Sequence, residues 1–319
     1  MSIASAVMLG IGVLLGGSLP WGFVLAPANL RIGTAVPWAT VPMAAYLWAY
    51  WKYIRGEWGS PETAPARRER LRANPLSPDI WAASLVAGLL GFAALFAFVA
   101  VMARLVRLPV SAPLTTPEGM PAITAFLLLT MSSIVAGVTE ESAFRGYMQT
   151  PIERRYGVLP AILVNGTMFG LLHFPNHPAD VLTMLPYYIA VSAIYGGLTW
   201  AANSILPALV LHSGGDVWSL GRLWLTGRPE WQLSPARQEL VTETGFDGSF
   251  VVAMTSFVAL TAFTIWAYAS LRRLSSNMAP RTAELRTARL RAKRFGEVRR
   301  SLCGGRKHEH EPGNENPEV

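Results

Sequence analysis

Residues 121–147 read PAITAFLLLTMSSIVAGVTEESAFRGY, and this stretch sets the fold class of the whole chain. Residues 121–139 carry no charge and are long enough to cross a ~30 Å hydrocarbon layer as a helix. Glu140, Glu141 and Arg145 follow directly. Charged residues at membrane depth are costly, so they usually face a cavity or a partner. The stretch therefore predicts a transmembrane helix that carries a functional site.

The composition is that of a membrane protein. Hydrophobic residues make up 51% of the 319 residues, charged residues make up 15%, and the mean hydropathy is +0.32. Such values differ from those of ordinary soluble domains. We therefore predict an all-α fold, a polytopic bundle of about eight transmembrane helices. The predicted spans cover approximately residues 3–26, 34–54, 79–103, 121–140 with a helical extension to 156, 158–174, 180–200, 203–220 and 249–271.

The basic residues lie beside the predicted spans, so the net charge of +7 does not indicate a nucleic-acid partner. By the positive-inside rule both basic regions face the cytoplasm, which an even number of spans with a cytoplasmic N-terminus satisfies. We predict an integral membrane protein with both termini cytoplasmic, and the Ala-, Pro- and Arg-rich composition suggests a bacterial plasma membrane. The basic residues are Lys52, Arg55, Arg67, Arg68, Arg70 and Arg72 after the second span, and Arg272, Arg273, Arg281, Arg286, Arg289, Arg291, Lys293, Arg294, Arg299 and Arg300 after the last.

Four segments follow from this pattern. They are residues 1–119, with N-terminal spans and a cytoplasmic basic loop; 120–220, the core with the ionisable groups; 221–271, an outer loop and the last span; and 272–319, a basic and partly disordered tail. In the outer loop, Trp224 and Trp231 are interpreted as interfacial anchors.

The tail contains ELRTARLRAKRFGEVRRSL, residues 284–302, which places apolar residues on one helical face and arginines around the others. This pattern predicts a helix lying on anionic lipid. The alternative is a basic tail with helical tendency and no fixed binding site.

Six ionisable residues of the core form the candidate site. If the turn at Gly157 joins two antiparallel helices, Glu140 and His173 both lie about 25 Å from it, at matching height. His212 lies about 14 Å from its own entry point near Asn203, a height that differs by about two turns unless the Gly157 turn protrudes. The six residues are Glu140, Glu141, Arg145, His173, His212 and Asp216.

Spacing within single helices adds two pairs. Glu141 and Arg145 are four residues apart, so the arginine can neutralise the glutamate, and a purely structural ion pair is the simpler interpretation. His212 and Asp216 have the same spacing, and the aspartate could orient the imidazole and fix its tautomer. For His173 on its own, a hydrogen bond between helices is the simpler interpretation.

Carboxylates and imidazoles that converge in a cleft of low dielectric constant are suited to hydrolysis. A buried glutamate can act as general base toward water, and histidine can stabilise a developing oxyanion. Alternatively, glutamate and histidine could bind a divalent metal such as zinc that activates water. Two other functions compete: a transporter or channel with a proton or cation path, or an inert membrane scaffold. A transporter predicts charges throughout the spans, whereas the interiors of the first three predicted spans carry none.

Three sequences in this core resemble the successive motifs of the CPBP family of intramembrane proteases, which includes CAAX-processing and bacteriocin-processing enzymes and relatives of the Ras-converting prenyl-protein peptidase. EESAFR (140–145), FGLLH (169–173) and HSGGD (212–216) are similar to EExxxR, FxxxH and HxxxN or HxxxD, in the same order. The resemblance covers roughly residues 120–220. It implies an intramembrane endopeptidase that cleaves a membrane-associated protein or peptide.

The resemblance also implies roles for these residues. Glu140 would activate water, with Glu141 and Arg145 supporting it. His173, His212 and Asp216 would stabilise the oxyanion, or Glu140, His173 and His212 would hold a metal if the reaction is metal-dependent. No cofactor is certain, and the predicted partners are a peptide or protein substrate and the lipid bilayer. Asp216 stands where the prenyl-peptidase branch tends to have asparagine, which favours a role in orienting His212.

Overall fold

A computed structural model describes residues 1–110, 114–173, 180–233 and 239–304, with side chains described up to residue 277. These residues form helices and contain no β-strand. The helices are α1 Ile3–Ile32, α2 Thr40–Ile54, α3 Ala64–Leu71, α4 Pro78–Leu105, α5 Ala122–Tyr156, α6 Val158–Leu172, α7 Val181–Ala202, α8 Leu206–Thr226, α9 Val241–Thr244 and α10 Gly248–Gly304.

The prediction of a polytopic, all-α bundle is confirmed, and a helix lies at each of the eight predicted spans. Within the described residues, five helices are long and apolar enough to cross a membrane: α1, α4, α5, α7 and the part of α10 up to Asn277. The other three differ for identifiable reasons. Helices α2 and α6 have only 15 residues each. Helix α8 is long enough, but polar groups such as His212, Asp216 and Arg222 interrupt its apolar sequence.

One end of the bundle is held together by polar contacts of basic residues, and we call it the basic face. Arg72 donates to both carboxylate oxygens of Glu153, at 2.9 and 3.0 Å, and to Asn203 Oδ1 at 2.9 Å. These contacts join the end of α3, the end of α5 and the α7–α8 turn. Arg155 donates to the carbonyl of Met1 at 3.3 Å, so the first residue also lies at the basic face.

The opposite end is the loop face, where the connections after α4 and α8 meet the start of α10. Arg104 donates to Asp247 Oδ2 at 2.8 Å, and this contact holds the pKa of the Asp247 carboxyl well below its usual value. Trp231 donates to the carbonyl of Pro109 at 2.9 Å and is only 7% exposed. The prediction that Trp231 is an interfacial anchor is therefore wrong, because the loop after α8 folds inward and packs the indole against Tyr187.

The chain divides into two compact units, residues 1–272 and 273–319. The first three predicted segments are thus parts of one unit. In the second unit the backbone is helical up to Gly304, while the side chains beyond 277 and all of residues 305–319 lie outside the described residues. The prediction that residues 284–302 bind anionic lipid remains a prediction.

The Arg72–Glu153 pair gives a direct test of this fold. The two side chains are only 10% and 14% exposed, so removing one leaves a poorly hydrated charge without its partner. We expect Glu153→Ala to lower the free energy of unfolding by about 3–5 kcal/mol, measured by titration with sodium dodecyl sulfate in mild-detergent micelles.

Arg154→Ala is the matched control, since its ion pair with Glu69 is more than half exposed on both sides. A change within about 1 kcal/mol is expected for such a pair. Equal destabilisation by the two variants would contradict the role given to Arg72 and Glu153.

Candidate active site

Helix α5 changes its hydrogen-bonding pattern where its charged residues begin. Residues 141–148 form a π-helical segment, a rare feature that is often found at functional sites. Every residue of this segment is buried, including Glu141 and Arg145. Glu140 is the residue immediately before it and keeps 19% of its side chain exposed. The segment therefore separates one glutamate that is accessible from one that is enclosed.

Helix α8 reaches α5 because Gly137 has no side chain. A Cβ atom at Gly137 would collide with the hydroxyl of Ser213 and lie 2.9 Å from the Ser213 backbone nitrogen. This close approach brings His212, the neighbour of Ser213, beside the two glutamates that follow Gly137 by one turn.

Glu141 is the centre of the charge arrangement. Its Oε1 lies 3.2 Å from Arg145 Nη1 and 2.7 Å from His212 Nδ1, and the Glu141 and Arg145 side chains are completely buried. The ion pair between Glu141 and Arg145 is the one that their spacing predicts. Arg145 also donates to Ser192 of α7 at 3.3 Å, so three helices share this buried charge.

The other ring nitrogen of His212 faces two carboxylates. Its Nε2 lies 3.7 Å from Glu140 and 3.6 Å from Asp216, whose side chains are 19% and 31% exposed. The partner that orients the imidazole through Nδ1 is Glu141, the role that the sequence assigns to Asp216. Tyr195 stacks on the ring, with centroids 4.9 Å apart and planes 10° apart. The imidazole is therefore fixed on its face and at Nδ1.

His173 follows the last residue of α6. Its Nδ1 lies 2.8 Å from the Phe169 carbonyl, and because a carbonyl only accepts hydrogen bonds, Nδ1 carries the proton. The ring contacts Tyr188 and Phe169 at centroid distances of 4.9 and 4.4 Å. Phe169 is also 6.4 Å from the His212 ring, so it separates the two histidines and keeps both at one cavity.

The expected difference in height between His212 and Glu140 does not occur. Arg72 contacts both Glu153 and Asn203, so these two residues lie at the same level. The Gly157 turn then extends past Asn203 by four residues, about 6 Å of helix. The protrusion of this turn removes about half of the predicted mismatch of roughly 11 Å.

A cavity of about 1090 Å³ connects these groups, with Glu140, His173, His212 and Asp216 on its wall. Most of the remaining wall is apolar and is formed by α4, α7 and the outer half of α8. The structure thus brings four of the six predicted residues to the cavity and places Glu141 and Arg145 behind them.

Sequence reasoning missed several residues of this arrangement. Tyr188, Ser192 and Tyr195 lie at helical spacing on α7, and this polar stripe in an apolar helix was a usable signal. Glu230 lines the cavity from the loop after α8. No periodicity in the sequence indicates that this loop turns inward.

The described residues contain no group of three or more His, Cys, Asp or Glu side chains arranged to hold a metal ion. Glu141 is bonded to Nδ1 of His212, and the Nε2 atom lies between two carboxylates at 3.6–3.7 Å. Glu140, His173 and His212 are therefore not arranged as a metal site in this structure.

The helical core of the chain is similar to one known protein family. Residues 122–218 match the model of the family described as type II CAAX prenyl endopeptidase Rce1-like, a match that contains all six candidate residues. Neither a curated protein nor a solved structure matches significantly. The match confirms the resemblance to the CPBP and CAAX intramembrane proteases and, with the apolar helices, indicates an integral membrane peptidase. The helical core of this protein, residues 122–218, is thus similar to the Rce1-like family of type II CAAX prenyl endopeptidases.

Proposed function

We propose that this protein hydrolyses a peptide bond of a membrane-associated protein or peptide, with Glu140 as the general base. The observation that supports this most is the position of His212, held at Nδ1 by buried Glu141 and directed by Nε2 at cavity-facing Glu140 and Asp216. A fixed imidazole beside an accessible carboxylate is suited to general acid–base chemistry.

In the proposed reaction, Glu140 takes a proton from a water molecule as its oxygen attacks the carbonyl carbon of the substrate. The same carboxyl then passes that proton to the leaving nitrogen, so Glu140 returns to its ionised form. His173 carries its proton on Nδ1, so its neutral Nε2 is an acceptor and can orient the attacking water.

His212 has the complementary role. Its Nδ1 donates to the Glu141 carboxylate and its Nε2 faces two further carboxylates at 3.6–3.7 Å, so in this proposal His212 carries a proton on both nitrogens and Nε2 is a donor in the cavity. A donor that is already fixed in place stabilises the oxyanion with little reorganisation. Glu141 and Arg145 do not reach the substrate in this scheme and act as positioning residues.

The cavity supports an apolar substrate segment. Its volume of about 1090 Å³ and the leucine and phenylalanine side chains of α4 provide room for an extended, hydrophobic stretch beside the reactive groups. We also propose that the basic face lies in the cytoplasm, since it holds the arginines of the 52–72 region. Met1 lies at that face, and Arg272 donates to the Trp200 carbonyl next to the α7–α8 turn, so both ends of the first unit are there.

Substitution of the proposed base is the first test. Glu140→Gln keeps the size of the side chain but cannot accept a proton, so we expect peptide cleavage to fall by about 10²–10⁴-fold. The measurement is the cleavage rate of a quenched fluorescent peptide library by protein in liposomes. Glu62→Gln, an exposed glutamate at the basic face, should cleave like wild type. Wild-type rates for Glu140→Gln would exclude the mechanism.

A second test changes the distance between helices and leaves the reactive groups in place. Gly137→Ala forces α8 away from α5 and moves His212 from the glutamates, so we expect cleavage to fall by about 10²-fold. Gly16→Ala in α1 is the matched control, because a Cβ there meets no atom within 4 Å. Full activity of the Gly137 variant would show that the α5–α8 contact is not needed.

A further inference from the structure

The loop after α8 lies over the cavity at the loop face. Gly227, with φ of 68°, ends the helix and reverses the chain. Arg222 then donates to the carbonyls of Pro229 and Gln232, both at 2.6 Å, and fixes the loop backbone. Pro229, Glu230 and Trp231 line the cavity as a result. This part of the wall lies outside residues 122–218, the segment that matches the family.

Glu230 is the one charged residue among these three, and its carboxylate is held on both oxygens. Tyr187 donates to Oε1 at 3.0 Å and Ser219 donates to Oε2 at 2.6 Å. Each oxygen accepts one hydrogen bond and keeps a lone pair for a further donor. The carboxylate is therefore fixed in position and can still bind a donor from the cavity.

Among the described residues of the cavity wall, carboxylates outnumber the cationic group, His212. Among the described residues that line the cavity, Glu140, Asp216 and Glu230 carry carboxylates, and Lys and Arg are absent. A carboxylate beside apolar surface is stabilised by a cationic partner, which forms a strong, charge-assisted hydrogen bond. We propose that Glu230 selects substrates that carry a lysine or arginine side chain near the cleaved bond, an inference that rests on the proposed peptidase function.

Helix geometry fixes where that side chain lies. Ser219 follows His212 by seven residues on α8, and Tyr187 precedes Tyr195, which stacks on His212, by eight residues on α7. At 1.5 Å per residue, Glu230 is about 10–12 Å from the level of His212. An extended peptide advances about 3.3 Å per residue, so the selected side chain lies about three residues from the cleaved bond.

A purely structural role for Glu230 predicts a different outcome. Glu230→Gln keeps the size of the side chain and an acceptor oxygen but removes the charge. If the residue only anchors the loop, this variant changes the cleavage of charged and uncharged substrates equally. If it selects a cation, the variant changes the ratio between them.

The test uses quenched fluorescent peptides with an apolar centre, each carrying lysine at one position on either side of the centre. Each peptide has a twin with uncharged acetyl-lysine. We expect wild-type protein in liposomes to cleave the lysine peptide roughly tenfold faster, in kcat/KM, when lysine is about three residues from the cleaved bond. Glu230→Gln should reduce this preference to below about threefold.

Glu243→Gln is the matched control. Glu243 is a glutamate of the same loop face, pairs with Arg107 and is 42% exposed, and it is not among the residues that line the cavity. This variant should keep the full preference for lysine. Measurable but equal wild-type rates for the twins, or equal losses on both in Glu230→Gln, would overturn the proposal.

A binding measurement separates this proposal from the proposed reaction. Fluorescein-labelled twins are titrated with protein in nanodiscs, and fluorescence anisotropy reports their affinity. One outcome is that wild type binds the lysine twin more tightly, that Glu230→Gln loses this preference, and that neither protein cleaves any peptide. Cation selection then stands and the peptidase function fails. If both twins bind equally or neither binds, cation selection is overturned whether or not cleavage occurs.

Discussion

The carboxylate of Glu141 lies 3.2 Å from Arg145 Nη1 and 2.7 Å from His212 Nδ1, and its side chain has no exposed surface. Removing such a charge from water costs several kcal/mol unless its partners stay in place. Helix α8 therefore cannot slide along α5 by one turn without removing His212 from this buried carboxylate, which would keep only Arg145 as its partner. The buried charge fixes the register of the two helices, and with it the position of the His212 ring.

This register explains why the adjacent residues Glu140 and Glu141 have different roles. Glu141 begins the π-helical segment and points into the bundle, while Glu140 precedes it and remains partly exposed at the cavity. The enclosed glutamate orients the imidazole, and the accessible one is left for chemistry in the proposed reaction. The residues that match the family supply this reactive part. Helix α4 and the loop that carries Glu230 supply much of the remaining wall, so substrate preference can change without altering the reactive groups.

The features that could be predicted from the sequence are those that depend on local periodicity. Apolar runs indicated a helix at each of the eight spans, and four-residue spacing indicated the pair of Glu141 and Arg145. The relative height of His212 was not accessible, because it depends on how far the Gly157 turn protrudes, and only contacts between distant residues fix that. Glu230 was missed for the same reason: its loop folds inward through hydrogen bonds from α7 and α8, which leave no repeating pattern in the sequence.

A double-mutant cycle between Glu141→Gln and His212→Gln tests most directly whether this buried contact holds the site together. The free energy of unfolding is measured in mild-detergent micelles for wild type, both single variants and the double variant. Residues that share a buried charge network show coupling energies of about 0.5–3 kcal/mol, and a buried, charged contact at 2.7 Å is expected in the upper half of that range. Additive effects, within about 0.3–0.5 kcal/mol, would show that Glu141 and His212 do not depend on each other and would contradict the account.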